Sequence, residues 1–115
     1  PEVVLVTTGK SPSWFDSATM DTARAQVLFR LEQADVHSRF FAFAPRTPKG
    51  ERIIVHAKMT VVDDRVIRIG STNLNNRSFG LDTECDITAE PRDAAGRDAI
   101  TRYRQRSIGH FIGVS

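Results

Sequence analysis

The most informative stretch of the sequence is residues 55–86, which read VHAKMTVVDDRVIRIGSTNLNNRSFGLDTECD. Around its first half, the apolar runs 53–62 and 65–69 are separated by Asp63-Asp64, and this pattern predicts a β-hairpin. Because side chains alternate along a strand, we expect His56 and Lys58 to lie on the same face. The polar residues 70–80 predict a loop, and residues 85–89 predict another short strand.

The residues before the hairpin predict a strand, a helix and a second strand. The apolar run 3–6 indicates a buried strand, a loop is expected at 10–17, and residues 20–34 have apolar positions at helical spacing, with Thr19 or Asp21 as the N-cap. A second strand is predicted at 39–44 and a turn at 45–51, so the two strands should be parallel.

Residues 92–108 again have helical spacing. The expected fold class is therefore α/β, with a mixed, mostly β-sheet core flanked by helices.

Length and composition exclude several classes of protein. A chain of 115 residues predicts one domain, 1–115, with roughly 6,000 Å² of accessible surface and a modest core. The 40% hydrophobic and 26% charged residues exclude disorder, and the single cysteine excludes a disulfide framework or a multi-thiolate metal site. The net charge of +2 does not require a polyanionic partner. Since the sequence starts at Pro1 rather than at Met, we expect a fragment of a longer chain or a processed product.

The residue types in this stretch favour a phosphate site over a metal site. An imidazole next to an ammonium group repels a cation but suits an anion, so His56 can attack phosphorus or transfer a proton while Lys58 neutralises the oxygens. Ser71, which can bond either backbone or substrate, and Asn73 belong to the following loop, whose N–H groups can also face an anion. Glu84 is a candidate to accept a hydrogen bond from the second ring nitrogen of His56.

These residues resemble the signature of the phospholipase D superfamily. His56, Lys58 and Asp63 match H-x-K-x-x-x-x-D, residues 70–73 match G-S-x-N, and Glu84 stands where the family has its histidine-orienting glutamate. The whole stretch looks most like the second, C-terminal motif of bacterial members with two motifs in one chain. The resemblance implies a phospholipase D-like half-domain.

The resemblance also implies an activity, which is phosphodiester cleavage through a phosphohistidine intermediate without a metal or other cofactor. One motif histidine attacks phosphorus and the other protonates the leaving alcohol; we favour the acid/base role for His56, and the nucleophile assignment stays open. The implied catalytic residues are His56, Lys58, Asn73 and Glu84. The implied phosphate ligands are Lys58, Ser71 and Asn73, with structural roles for Asp63 and Gly70.

The chemistry needs two motifs, and this chain contains one, because His37 and His110 lack the accompanying lysine and asparagine. We therefore expect the second half-site from elsewhere in the full-length chain or from a homodimer partner. The expected substrate is a phospholipid or another phosphodiester, in a bacterial protein that is cytoplasmic or associated with the inner membrane. Alternatives are a nuclease acting on nucleic acid, a cardiolipin-synthase-like enzyme, or a non-catalytic scaffold half.

Overall fold

The computed structural model describes residues 1–11, 14 and 17–113. It contains two compact units, Pro1–His56 and Ala57–Ser115, each of which has its own sheet.

The first unit is the predicted strand–helix–strand arrangement. Strands β1 (Val3–Val6) and β2 (Phe40–Phe43) pair in parallel, and helix α1 (Thr22–Ala34) connects them. A π-helical turn, Ser17–Asp21, precedes α1. The two strands and the helix are confirmed, whereas residues 12, 13, 15 and 16 of the predicted 10–17 loop lie outside the described residues.

Of the two predicted N-cap residues of α1, Asp21 takes the position, but without a capping hydrogen bond from its side chain. Its backbone angles there are helical. Its carboxylate instead accepts hydrogen bonds from the backbone N–H of Ser11 at 3.1 Å and from the Ser11 hydroxyl at 2.7 Å. Asp21 therefore ties α1 to the chain that leaves β1.

Residues 53–58 do not form the first part of a strand, which corrects the prediction for 53–62. The backbone N–H of Ile53 donates to the carbonyl of Pro45 at 3.2 Å, and that of Val55 donates to the side-chain oxygen of Thr8 at 2.9 Å. Because the first bond belongs to the isolated bridge between Arg46 and Arg52 and the second goes to a side chain, no strand ladder runs along residues 53–55. Side-chain alternation therefore no longer supports a shared face for His56 and Lys58.

The second unit is built on a three-stranded antiparallel sheet in the order β3-β4-β5. Its elements are β3 (Met59–Val62), β4 (Val66–Gly70), α2 (Asn76–Gly80), β5 (Asp86–Ala89) and α3 (Ala94–Ile112). Asp63 and Asp64 join β3 to β4 with φ of 51° and 52°, and the N–H of Arg65 donates to the carbonyl of Val62 at 2.9 Å. The predicted hairpin is confirmed.

Two helices depart from the prediction. Residues 76–80 of the expected loop form α2, because the Asn75 side chain accepts a hydrogen bond from Ser78 N–H at 2.8 Å and caps the first turn. Helix α3 continues past the predicted end at residue 108 to Ile112, where Gly113 takes a left-handed conformation with φ of 75°.

The α/β fold class is confirmed, with the parallel and antiparallel pairings in separate sheets. The observed core is smaller than the area scaling predicts. Within the described residues, Ile100 is the buried core hydrophobic residue at 7% exposure, and the accessible area is 9128 Å² against the expected value of roughly 6,000 Å². Large apolar side chains therefore stay exposed on both sheets, Phe41 and Ile87 among them. No helix in the described ranges has the length and apolar character needed to span a bilayer.

Candidate phosphate-binding site

One end of the three-stranded sheet brings three parts of the predicted site together. The N–H of Gly70, the last residue of β4, donates to the carbonyl of Lys58 at 3.1 Å, and the next N–H, of Ser71, donates to the carbonyl of Cys85 at 3.1 Å. Lys58 immediately precedes β3 and Cys85 immediately precedes β5. One end of the sheet therefore holds the half-buried Lys58, the start of the 70–73 loop and Glu84.

Ser71 connects the loop to Glu84. Its hydroxyl donates to Oε2 of Glu84 at 2.5 Å and accepts from the backbone N–H of Cys85 at 2.9 Å. Because a serine hydroxyl has one proton, Ser71 cannot donate to a phosphate while it donates to Glu84. The geometry thus gives Ser71 a turn-stabilising contact, and its role as a phosphate ligand stays a prediction.

Asp86 anchors the centre of the loop, a contact that the sequence reasoning missed. Its carboxylate accepts from the N–H of Thr72 at 3.2 Å and from the Thr72 hydroxyl, and Arg68 Nη1 lies 4.0 Å away. Thr72 is 6% exposed. The hydroxyl of Thr72 is the main cause that lowers the pKa of Asp86, and the Thr72 N–H and the charge of Arg68 add to it. The sequence feature that could have indicated this contact is a carboxylate at the start of a strand, two residues after Glu84.

Asn73 lies between two anchored segments. Thr72 precedes it, and its own carbonyl accepts from the N–H of Asn75 at 2.9 Å, immediately before α2. The Asn73 side chain is exposed. The backbone at Asn73 is therefore held from both sides, and the role of its carboxamide as an anion donor stays a prediction.

The two aspartates of the hairpin turn have different contacts. Asp63 is at the turn, where its positive φ places it in the left-handed region that aspartate tolerates better than most residues. Asp64 accepts two hydrogen bonds from Arg104 of α3, from Nε at 2.6 Å and from Nη2 at 2.7 Å. Arg104 is the main cause that lowers the pKa of Asp64. The resemblance implies a structural role for Asp63. The contact that joins this turn to α3 is made by Asp64, which was not predicted.

His56 is the last residue of the first unit and is exposed. The residue before it, Val55, is fastened to the end of β1 because its N–H and its carbonyl both bond the Thr8 hydroxyl, at 2.9 and 3.1 Å. The convergence of His56 with Lys58, Asn73 and Glu84 stays a prediction. No group of three His, Cys, Asp or Glu side chains suited to a metal occurs within the described ranges.

The mixed α/β content, with its sheets and helices, is consistent with a phospholipase D-like half-domain. The family described as cardiolipin synthase, PLD-like domain, matches residues 2–105. The chain belongs to this family and, with it, to the phospholipase D superfamily.

Curated relatives agree with this family. The chain is 39% identical over 61 residues to Phospholipase D1 of Schizosaccharomyces pombe, covering 53% of this chain and 4% of the relative. It is 38% identical over 71 residues to Cardiolipin synthase A of Pseudomonas putida strain W619, covering 62% and 13%. A third relative, Cardiolipin synthase A of Pseudomonas entomophila strain L48, is 37% identical over 81 residues, covering 70% and 15%. The chain thus spans 15% or less of the length of these relatives. No solved structure matches the chain significantly.

Proposed function

We propose that the chain supplies one of two half-sites of a phospholipase D-type phosphodiesterase that hydrolyses or transfers the phosphatidyl group of phospholipids. The observation that carries this proposal is the sheet end at which consecutive N–H groups of Gly70 and Ser71 bond the carbonyls of Lys58 and Cys85. This pairing brings the backbone of Lys58, the start of the 70–73 loop and the residue after Glu84 to one end of the sheet, which supports a phosphate site there. A phosphate there would meet positive charge and hydrogen-bond donors together.

The proposed reaction has two displacements at phosphorus. An imidazole nitrogen of one motif histidine attacks phosphorus, the P–O bond to the leaving alcohol breaks, and the alcohol oxygen takes a proton from the other motif histidine. A water molecule or an acceptor alcohol then gives its proton to the acid/base histidine and attacks phosphorus, so that the P–N bond breaks and the nucleophilic histidine is released. We assign the acid/base role to His56 and expect the nucleophilic histidine from the rest of the complete protein or from a second copy.

The other residues act on charge and orientation. Lys58 neutralises the phosphate oxygens, and Asn73 donates to them without a change in charge. Glu84 orients His56 and stabilises its protonated form; because a carboxylate has two oxygens, it can do so while it accepts from Ser71.

Transfer to a second lipid alcohol, as in a cardiolipin synthase, is the second candidate. It is supported by the match to the cardiolipin synthase, PLD-like domain family and by the similarity to the Cardiolipin synthase A proteins of Pseudomonas. The two candidates share the same half-site and differ in the acceptor.

The test is the complete protein with His56→Asn, assayed on phosphatidylglycerol vesicles, phosphatidylcholine vesicles and single-stranded DNA. Removal of a general acid–base group should lower phospholipid turnover by about 100-fold or more. His37→Asn is the matched control, because His37 is exposed and lies outside the signature. Product analysis separates hydrolysis from lipid-to-lipid transfer.

Two results would contradict the proposal. Wild-type turnover in His56→Asn would remove the catalytic role and leave the scaffold alternative. Cleavage of DNA alone would assign the site to a nuclease. As a separate expectation, the single variant Lys58→Ala should lower kcat about 100-fold relative to wild type, because one electrostatic contact to the reacting group is lost.

A further inference from the structure

The first unit contains a cavity of about 440 Å³ that no part of the proposed mechanism uses. Gly9 and Lys10, which follow β1, line it together with Pro45 and Arg46, which follow β2. The cavity therefore lies at the carboxyl ends of two parallel strands. In open α/β sheets this edge is where ligands bind, and the volume is within the range of small-molecule sites.

The cavity wall is basic. Lys10, Arg46 and Arg52 contribute three cations, and Asp21 is the acidic residue of the lining. The charge of Asp21 is already paired, because Arg24 Nη1 lies 2.7 Å from its Oδ1. The remaining balance of the wall favours an anion.

Two of these cations face each other across a β-bridge. Arg46 and Arg52 are antiparallel bridge partners, so their side chains project to the same side. Like charges directly opposite each other are destabilising. Arg46 Nη1 donates to the carbonyl of Gly50 at 3.0 Å, which engages one of several N–H groups of its guanidinium. An anion between the two guanidinium groups would relieve the repulsion.

We propose that this cavity binds a phosphate group, presented either by a lipid headgroup or as free phosphate. Two guanidinium groups and a lysine ammonium match the oxygens of a phosphate, because arginine forms paired hydrogen bonds with them. The cavity is built from first-unit residues other than His56, so the proposal does not depend on the proposed function.

The first arm of the test is thermal unfolding of the complete protein with inorganic phosphate, compared with sodium chloride at equal ionic strength. All proteins carry Lys58→Ala, so that phosphate binding at the motif does not contribute. We expect phosphate to raise the Tm by about 3 °C or more, since a ligand that binds only the folded state stabilises it. Arg46→Gln and Arg52→Gln should abolish the rise. Lys49→Gln should retain it, because Lys49 belongs to the same 46–52 hairpin but does not line the cavity.

The repulsion between Arg46 and Arg52 can also be measured without phosphate, through the unfolding temperature. In phosphate-free buffer, Arg52→Gln should unfold at a higher temperature than its parent, since one of two facing charges is removed. If either arginine variant fails to fold, Lys10→Gln replaces it, because Lys10 lies in a loop and has no bridge partner to disturb.

The second arm separates the two sources of phosphate. Binding to an anionic headgroup is measured by flotation with vesicles of phosphatidylglycerol and phosphatidylcholine. Vesicles of phosphatidylcholine alone are the comparison. Retention that depends on Arg46 and Arg52 assigns the cavity to lipid, and a response to inorganic phosphate alone assigns it to the free anion. If the arginine variants equal their parent in both arms, the proposal is overturned. Loss of turnover in His56→Asn leaves these binding readouts unchanged, so the two proposals fail separately.

Discussion

Replacing Gly70 with alanine places a methyl group against the backbone of β5. A Cβ at position 70 would lie 2.5 Å from the carbonyl oxygen of Cys85 and 2.6 Å from Cα of Asp86, and it would also meet Oδ1 of Asp86. Gly70 has no positive φ, so alanine fits the backbone conformation itself. The expected damage is therefore purely steric.

The size of the effect follows from which atoms collide. One of these backbone atoms belongs to β5 and the other to the residue before it, and neither can rotate away as the end of a flexible side chain can. Overpacking of this kind costs about 1–3 kcal/mol. If β5 moves outward instead, the hydrogen bond from Ser71 N–H to the Cys85 carbonyl, 3.1 Å long, is lost at a further cost of about 1 kcal/mol. We expect a loss of about 3 kcal/mol in the free energy of unfolding.

Thermal unfolding followed by circular dichroism measures this loss. For a domain of this size, it corresponds to a decrease in Tm of roughly 10–20 °C. Gly80→Ala is the matched control, because a Cβ at Gly80 meets no atom within 4 Å and alanine is the better helix former at the end of α2. The complete protein with Gly70→Ala should also lose turnover, since the 70–73 loop starts at this residue. Equal Tm values for the two alanine variants would refute the steric reasoning.

Two further predictions concern the second unit. Asp86→Asn should loosen the loop at Thr72; because the pKa of Asp86 is lowered from its usual 3.8, the stability that the carboxylate contributes is present above that pH and is lost as the pH falls through the lowered value. Urea unfolding of wild type and Asp86→Asn should therefore differ at pH 7, and the difference should shrink as the pH falls below 3.8 towards the lowered pKa; a constant difference would contradict this account. Ile100→Ala should destabilise the protein by about 2 kcal/mol or more, as expected for truncation of a buried aliphatic side chain. Ile112→Ala, at a position that is 54% exposed, should change the urea midpoint much less, and a similar change in both variants would place the core elsewhere.

Local patterns predicted most of the elements correctly. The apolar run at 3–6, the helical spacing up to residue 34 and the Asp63-Asp64 turn all recur in the structure, because each depends on residues a few positions apart. The strand prediction was wrong at residues 53–58, where other hydrogen-bond partners replace those of a strand ladder. Residues 53–58 have the composition of a strand, but the N–H groups of Ile53 and Val55 donate to Pro45 and Thr8.

The candidate site divides in the same way. The spacing of His56, Lys58, Asn73 and Glu84 predicted the family, which the match over residues 2–105 confirms. The supporting contacts of the loop were not predicted, because Thr72 and Asp86 are 14 residues apart and meet only through the β4–β5 register.

The sequence by itself determined the family and most of the strands and helices, because motif spacing and side-chain periodicity are properties of the linear chain. The tertiary structure decided that Asp86 holds the loop, that Asp64 rather than Asp63 bonds Arg104, and that Arg46 faces Arg52 beside a cavity. These contacts depend on strand register and helix packing, which bring together residues that have no relation in the order of the chain.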